Sequence, residues 1–323
     1  MAHKTPSKTN LILCLFFLIC FLYFKINRYF PKPASKLLAS FKLSTTKPLF
    51  SCKDPDAREN FKRARELLFK QNLSLAEIDQ IATVELSSYN CSYKDPTEPK
   101  ILIVVPYRSR ELDLLSFIIH MVPYFRHLGR KMEILIAEQS GTGPFNRGKI
   151  FNAAIREIKK TSDRDRLSGS TCFAFHDVDK LPVNLDVPYS CTTGPQQLVR
   201  VVHNDFRIQD TYSTFLGGVT MFSMDQLDRI NGASNSFEGW GGEDDDLWQR
   251  IQMIGMKVVK PDKIKGQFYE GNFYHSRDKN PNRKKLLNRP NRKSLMLNDG
   301  LRQVNYTLES RVNYNTFVWL LLN

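Results

Sequence analysis

Three short, almost wholly apolar runs constrain this chain more than anything else in it: Ile101-Leu-Ile-Val-Val, Met132-Glu-Ile-Leu-Ile-Ala and Thr171-Cys-Phe-Ala-Phe. A strand with one face in water alternates apolar and polar residues. These keep both faces apolar, as strands buried on both sides do. Stretches with helix spacing, 111–125 and 149–160, lie between and after them. Strand and helix in alternation predict a parallel sheet covered by helices, an α/β nucleotide-binding architecture whose ligands sit beyond the carboxyl ends of the strands. Upstream, residues 57–86 place Phe61, Ala64, Leu67 and Leu68 at helix spacing, with a second helix start at Ser74-Leu-Ala-Glu-Ile.

In such a fold the segment at each strand's carboxyl end is the place to seek chemistry. Pro106-Tyr-Arg-Ser-Arg110 succeeds the first strand, a segment ending Phe145-Asn-Arg-Gly-Lys149 the second, and His176-Asp-Val-Asp179 the third. Arginine beside an aromatic ring can hold a phosphate and flank a base. Carboxylates two apart on an extended segment face the same way, so Asp177 and Asp179 can approach one divalent cation. Further on, Gly239-Trp-Gly-Gly-Glu-Asp-Asp-Asp246 sets four acids in a row. They repel one another, and the dipole of a helix beginning there would stabilise them, since Leu247-Trp-Gln-Arg-Ile continues as a helix. Acids so placed beside a pocket can also serve as a base and as acceptors for hydroxyls.

Lys and Arg outnumber Asp and Glu 47 to 33, a net charge of +14 that points to an anionic partner. Location narrows the choice. Residues 11–24 (LILCLFFLICFLYF) carry no charge and cover roughly two-thirds of a bilayer core of about 30 Å, with Lys25 placed to snorkel. A cleaved signal peptide has an apolar region of this length, but no small-x-small cleavage site comes directly after it. The expectation is a signal-anchor over 11–30 behind a cytoplasmic tail at 1–10. A stem at 31–55 with four prolines and a lumenal domain at 56–323 complete the chain. Basic residues flanking the segment do not favour that orientation. The sequons at Asn72, Asn90 and Asn305 do. Cys52, Cys91, Cys172 and Cys191 lack CxxC spacing and read as two disulfides in an oxidising compartment, with three pairings open. A lumenal domain argues against nucleic acid as the partner.

Five ordered motifs then carry a resemblance: Phe145-Asn-Arg-Gly-Lys-Ile-Phe-Asn152, Phe175-His-Asp-Val-Asp-Lys-Leu-Pro182, Gly217-Gly-Val219, Trp240-Gly-Gly-Glu-Asp-Asp-Asp246 and His275-Ser-Arg-Asp-Lys279. From about residue 99 to 308 the chain resembles the β-1,4-galactosyltransferase family (glycosyltransferase family 7). The resemblance implies a GT-A, Rossmann-like nucleotide-sugar-binding domain behind the signal-anchor. It also implies a manganese-dependent inverting transfer from a UDP-sugar to a glycan acceptor, by a single-pass type II protein of the Golgi membrane. By position, Pro106, Tyr107, Arg108, Arg110, Phe145, Arg147, Asp177, Val178, Phe215, Gly218 and Trp240 fall among its donor contacts. Asp179 and His275 fall on its metal ligands. Glu243 and Asp244 fall on its acceptor-binding acid and general base, and Lys285 and Leu286 on a pair near its acceptor pocket. The family's disulfides correspond to Cys52–Cys91 and Cys172–Cys191. Residues 275–293, with eight Lys or Arg and one acid, correspond to a lid that orders over bound donor.

Three departures bear on specificity. Asn272 stands where the family has a Met three residues before the metal His, a harder donor or a place for water. Glu238 replaces the first Trp of its W-G-W run. Phe215 replaces a Tyr that restricts the donor to galactose, which leaves UDP-GalNAc open. Acceptors other than N-acetylglucosamine, namely xylose or glucose, and a non-catalytic lumenal sugar-binding protein are the remaining alternatives.

Overall fold

The structure, a computed structural model, describes residues 56–68, 73–87, 99–271 and 279–323. The expected tail, anchor and stem, the Cys52–Cys91 pair, the sequons at Asn72 and Asn90, and Asn272 and His275 lie outside those residues. No helix among the described residues is long and apolar enough to cross a membrane.

Each of the three apolar runs forms a strand. Helices α1 (Ala57–Leu67) and α2 (Leu75–Ser87) precede β1 (Ile101–Tyr107), after which come α3 (Glu111–His127), β2 (Met132–Gln139), α4 (Arg147–Lys159) and β3 (Cys172–His176). Strand β1 pairs in parallel with β2 on one side and β3 on the other. Its side chains divide between two cores. Ile101, Ile103 and Val105 face a cluster holding Phe61, Ile78, Phe117 and Phe125 from α1, α2 and α3. Leu102 and Val104 face a second cluster with Ile150, Phe151 and Ile155 of α4. Burial on both faces explains the lack of alternation that made these strands recognisable. Helix α3 is buried through 113–125 because the sheet lies on one side of it and α1 and α2 on the other.

Beyond β3 come β4 (Leu181–Pro182), β5 (Gln196–Gln197), β6 (Val201–His203), β7 (Ile208–Asp210) and β8 (Val219–Ser223). The chain continues through α5 (Met224–Arg229), α6 (Glu243–Met253), β9 (Gln267–Tyr269), α7 (Arg283–Leu287), α8 (Arg292–Asn298), β10 (Leu308–Asn313) and β11 (Val318–Leu322). The large sheet runs β10-β11-β2-β1-β3-β8-β5, and β4-β9-β6-β7 forms a second, smaller one. The three expected strands are parallel to one another, but the sheet they belong to is mixed: β3–β8, β8–β5 and β10–β11 are antiparallel. Strand β11 adds to β2 in parallel. Its register is held by the Trp319 indole, which donates to buried Glu138 at 2.9 Å. The β10–β11 turn is pinned by Asp79 of α2, whose carboxylate accepts from the Thr316 amide at 2.8 Å, the Thr316 hydroxyl at 2.6 Å and the Asn315 amide at 3.1 Å.

The segment expected to be a loop-like lid is partly helical, as α7 and the start of α8. Of its described basic residues, Lys279, Arg283, Lys284, Lys285 and Lys293 are exposed and Arg289 and Arg292 are half-buried, while Leu286 and, further along α8, Met296 are buried.

Candidate active site

The segments after β1, β2 and β3 open onto a cleft of about 730 Å³, within the range of small-molecule sites. The motif after β2 divides by function. Asn146 caps α4, its side chain accepting from the Lys149 amide at 2.9 Å and donating to the Asn235 carbonyl at 2.7 Å. Gly148 lies where a Cβ would come within 2.4 Å of the Ser234 carbonyl, and Asn152 binds the Ala233 backbone through both of its side-chain groups. These residues dock the helix. Phe145 and Arg147, between and beside them, are left for the cleft. The Arg108 guanidinium lies 5.4 Å over the Phe145 ring, and that of Arg147 lies 4.7 Å over Phe151. Stacked cations beside an open ring form a wall suited to a base and phosphates.

Asp177 and Asp179 both line the cleft. Arg147 donates to Asp177 at 2.7 Å, and the Gly218 amide donates to its other oxygen at 3.2 Å. Asp179 is more deeply set. Lys180 holds one of its oxygens at 2.9 Å and Arg110 the other at 2.8 Å. Burial opposes the Asp179 charge, but Lys180 and then Arg110 outweigh it and keep the carboxyl well below its usual range.

The four consecutive acids also divide. Gly242, in a left-handed conformation (φ 96°), starts α6, and a Cβ there would meet Arg283 at 2.8 Å and Phe237 at 2.9 Å, so only glycine fits. Asp245 pairs with Arg283 at 2.7 Å; Asp246 pairs with Arg250 at 2.6 Å and Arg292 at 2.7 Å. Glu243 and Asp244 turn instead into the cleft beside Phe215 and half-exposed Trp240. Burial, then the neighbouring Asp244, raises the Glu243 carboxyl to about 7 against the pull of Arg147. Burial, then Asp245, raises Asp244. The Tyr212 hydroxyl donates to Asp244 at 3.3 Å. Carboxyls raised above their ordinary range and facing a cleft suit proton abstraction from a sugar hydroxyl.

Of the residues expected in the site, Pro106, Arg108, Arg110, Phe145, Arg147, Asp177, Val178, Asp179, Phe215, Gly218, Trp240, Glu243 and Asp244 line this one cleft. Tyr107 does not. Its ring is buried in the core, and its hydroxyl accepts from the Arg110 amide at 3.1 Å. Lys285 and Leu286 are not brought there either: Lys285 is exposed, and Leu286 packs in a separate small cavity with Phe237, Met253 and Met296. Arg283, earlier on α7, lines the cleft in their place. Sequence reasoning missed Tyr212, Lys180 and Glu270, which also line it. Lys180 directly succeeds the D-x-D pair and could have been questioned; nothing in the sequence marks Glu270. Cys172 and Cys191 are joined in a disulfide, and Asn305 is exposed. Among the described residues no cluster of three His, Cys, Asp or Glu side chains could hold a metal ion.

Two family models match the chain. One, described as the N-terminal region of glycosyl transferase group 7, covers residues 55–192. The other, described as the N-terminal domain of galactosyltransferase, covers 198–276. The chain is 35% identical over 277 residues to mouse (Mus musculus) β-1,4-galactosyltransferase 4, spanning 83% of this chain and 75% of that one. It is 35% identical over 176 residues to human β-1,4-galactosyltransferase 6, spanning 54% and 44%. A mutant of Drosophila β-1,4-galactosyltransferase 7 in complex with manganese, UDP-Gal and xylobiose superposes with a TM-score of 0.57 at 26% identity, over 70% of this chain and 93% of that one. The architecture is thus that of GT-A-like glycosyltransferases. The chain belongs to the β-1,4-galactosyltransferase family and is a hexosyltransferase.

Proposed function

We propose that this protein transfers galactose from UDP-galactose, with inversion and in β-1,4 linkage, to a terminal N-acetylglucosamine of glycoprotein or glycolipid glycans, with a manganese ion as cofactor. The observation that carries the reading is the division of the acid run, which leaves Glu243 and Asp244 in the same cleft as the stacked arginines and the D-x-D carboxylates. The donor's diphosphate matches the cationic wall of Arg108, Arg110 and Arg147, and its base matches the Phe145 ring.

Asp179 fits a divalent cation. It is a buried carboxylate held ionised, its hard oxygens suit manganese or magnesium, and a positive charge already rests against it. His275 would complete the donor set. The ion, when bound, supplies charge stabilisation for the departing diphosphate. The chain's own residues do the rest. Asp244 takes the proton from the acceptor hydroxyl as its oxygen bonds to the sugar C1 and the bond from C1 to the phosphate oxygen breaks. Glu243 accepts a second acceptor hydroxyl, and Tyr212 keeps Asp244 oriented. Trp240 and Phe215 offer apolar faces to the sugars.

Residues 11–30 as a signal-anchor, three sequons and the Cys172–Cys191 disulfide support a type II protein of the Golgi membrane with its catalytic domain lumenal. One specific observation favours a second donor: the ring at Phe215, edge-on to Tyr212 at 5.3 Å, carries no hydroxyl toward the sugar, so UDP-GalNAc competes.

The test is transfer by the purified full-length protein with Mn²⁺. UDP-Gal and UDP-GalNAc are compared on N-acetylglucosamine-, xylose- and glucose-terminated acceptors, with Asp244→Asn alongside. Galactose transfer to N-acetylglucosamine that Asp244→Asn abolishes is expected. Preference for another donor or acceptor overturns that specificity, and full activity in Asp244→Asn overturns the assignment of the base.

A further inference from the structure

Lys180 directly succeeds the D-x-D pair and borders the cleft, yet its side chain is almost wholly buried. It is 7% exposed and lies beside Gly218, where a Cβ would stand 3.7 Å from the Lys180 Cγ. Its ammonium sits between two buried carboxylates, 2.9 Å from Asp179 Oδ1 and 3.2 Å from Glu270 Oε1. Glu270, at the end of β9, is 6% exposed, and its amide donates to the His203 carbonyl at 2.8 Å, which fixes the backbone that carries it.

A buried ammonium is tolerated only when paired, and this one is paired twice. Lysine is a point charge on a flexible stem, with three donors free to reorient. It can therefore give up one carboxylate and keep the other. Arg110 cannot do the same: it spans Asp179 and Asp113, at 2.8 and 2.9 Å, in the fixed fork of a guanidinium.

We propose that Lys180 is a resident competitor for the divalent-cation site at Asp179, and that Glu270 is the carboxylate to which its ammonium retires when the cation binds. The inference rests on the reading of Asp179 as a cation ligand. In the free protein the ammonium neutralises Asp179 and repels a second cation, so the metal binds weakly. A nucleotide diphosphate entering the cleft adds negative charge beside both cations and removes most of that repulsion. Metal and donor then bind each other's complex more tightly than either binds alone, by the same factor in both directions. Lys180 and Glu270 are in this sense positioning residues that set the order of loading.

The test is Mn²⁺ binding to the purified full-length protein, read from the electron paramagnetic resonance of free Mn²⁺, with and without saturating UDP. Lys180→Met is expected to tighten Mn²⁺ at least fivefold without UDP and less than twofold with it. Lys180→Arg, which keeps the charge but replaces the reorienting ammonium with a fixed fork, is expected to weaken Mn²⁺ rather than tighten it. Glu270→Gln, which leaves the ammonium only Asp179, is expected to weaken Mn²⁺ several-fold. Folded Lys180→Met with unchanged or weaker Mn²⁺ binding overturns the proposal. Should circular dichroism show that Lys180→Met does not fold, Glu270→Gln decides, and unchanged binding there overturns it too. Asp179→Asn separates the two levels. If it leaves Mn²⁺ binding intact, the cation site itself is misassigned and the proposal falls with it. If it abolishes binding while the Lys180 and Glu270 variants do nothing, the competitor alone is overturned.

Discussion

The Tyr212 hydroxyl donates to Asp244 Oδ2 at 3.3 Å and stands 3.5 Å from Asp245 Oδ1, so one phenol ties the cleft wall to the start of α6. A donor to an ionised carboxylate favours the charged form and fixes its direction. Tyr212→Phe is expected to lower kcat about tenfold, close to the worth of one charged hydrogen bond. The acid limb of its rate profile should also move to higher pH. Steady-state kinetics across pH will check both. An unchanged kcat would remove Tyr212 from the site's machinery.

Burial raises both Glu243 and Asp244; Asp244 adds to it at Glu243, brought to about 7 from an ordinary 4.5, and Asp245 adds to it at Asp244. With Asp244 as the proposed base, its raised carboxyl means that the acid limb of kcat/KM should lie above the ordinary aspartate range, with an apparent value that belongs to the pair. Stability runs the other way. A carboxyl whose folded value is raised contributes fully below its unfolded value, and that contribution is lost as pH rises through the folded one. Glu243→Gln should therefore be more stable than the parent at pH 8, by about 1–2 kcal/mol, with the gap closing below pH 5. Thermal denaturation at the two pH values measures this.

Asp79 is 5% exposed and far from the cleft, and it accepts three hydrogen bonds from the turn between β10 and β11. Asp79→Ala leaves those donors unsatisfied. A loss of about 2–4 kcal/mol is expected, with acceptor KM unchanged in the folded fraction. Denaturant titration beside activity at low temperature will distinguish this from a role in catalysis.

The Cys172–Cys191 disulfide spans a sequence separation of 19 residues. The unfolded chain without it has more freedom, worth about 3 kcal/mol for a loop of this size. The bond also ties the start of β3 to the segment carrying Tyr189, whose hydroxyl is 2.9 Å from His176 Nε2 just ahead of the D-x-D pair. The double Cys→Ser variant should lose stability by that amount and, more tellingly, lose Mn²⁺ affinity. Unaltered Mn²⁺ binding in the folded variant would show that the staple does not reach the cation site.

Much of the fold was legible because burial leaves a mark on sequence. The lack of alternation in 101–105 and 132–137 stems directly from the two cores on either side of β1 and β2. Pairing direction leaves no such mark. Val219-Thr-Met-Phe-Ser223 is antiparallel to β3, and hydrophobic pattern alone does not distinguish that from parallel. Strand β11 was missed although Val318-Trp-Leu-Leu-Leu322 is as apolar as any run in the chain. In the site, the residues that matched long motifs fell together in the cleft. Lys285 and Leu286 depended on a gapped match across a segment that proved to be short helices, where one position's shift turns a side chain away from the cleft. Glu270 had no signal because its role comes from the place where β9 ends, which only the folded chain defines.

The placement of β11 beside β2 bears on self-association. Trp319 and its partner Glu138 are 181 residues apart in sequence, and pairings that distant form slowly. Until that hairpin docks, β2 presents a row of unpaired amides and carbonyls flanked by Ile134 and Ile136, a template on which another copy could add a strand. Its docking hides that edge beneath β11 and leaves β10, with Glu309 and Arg311 along it, as the outer strand. The hairpin is thus a guard against aggregation, and weakening it would first reduce the yield of soluble protein, before any change in rate.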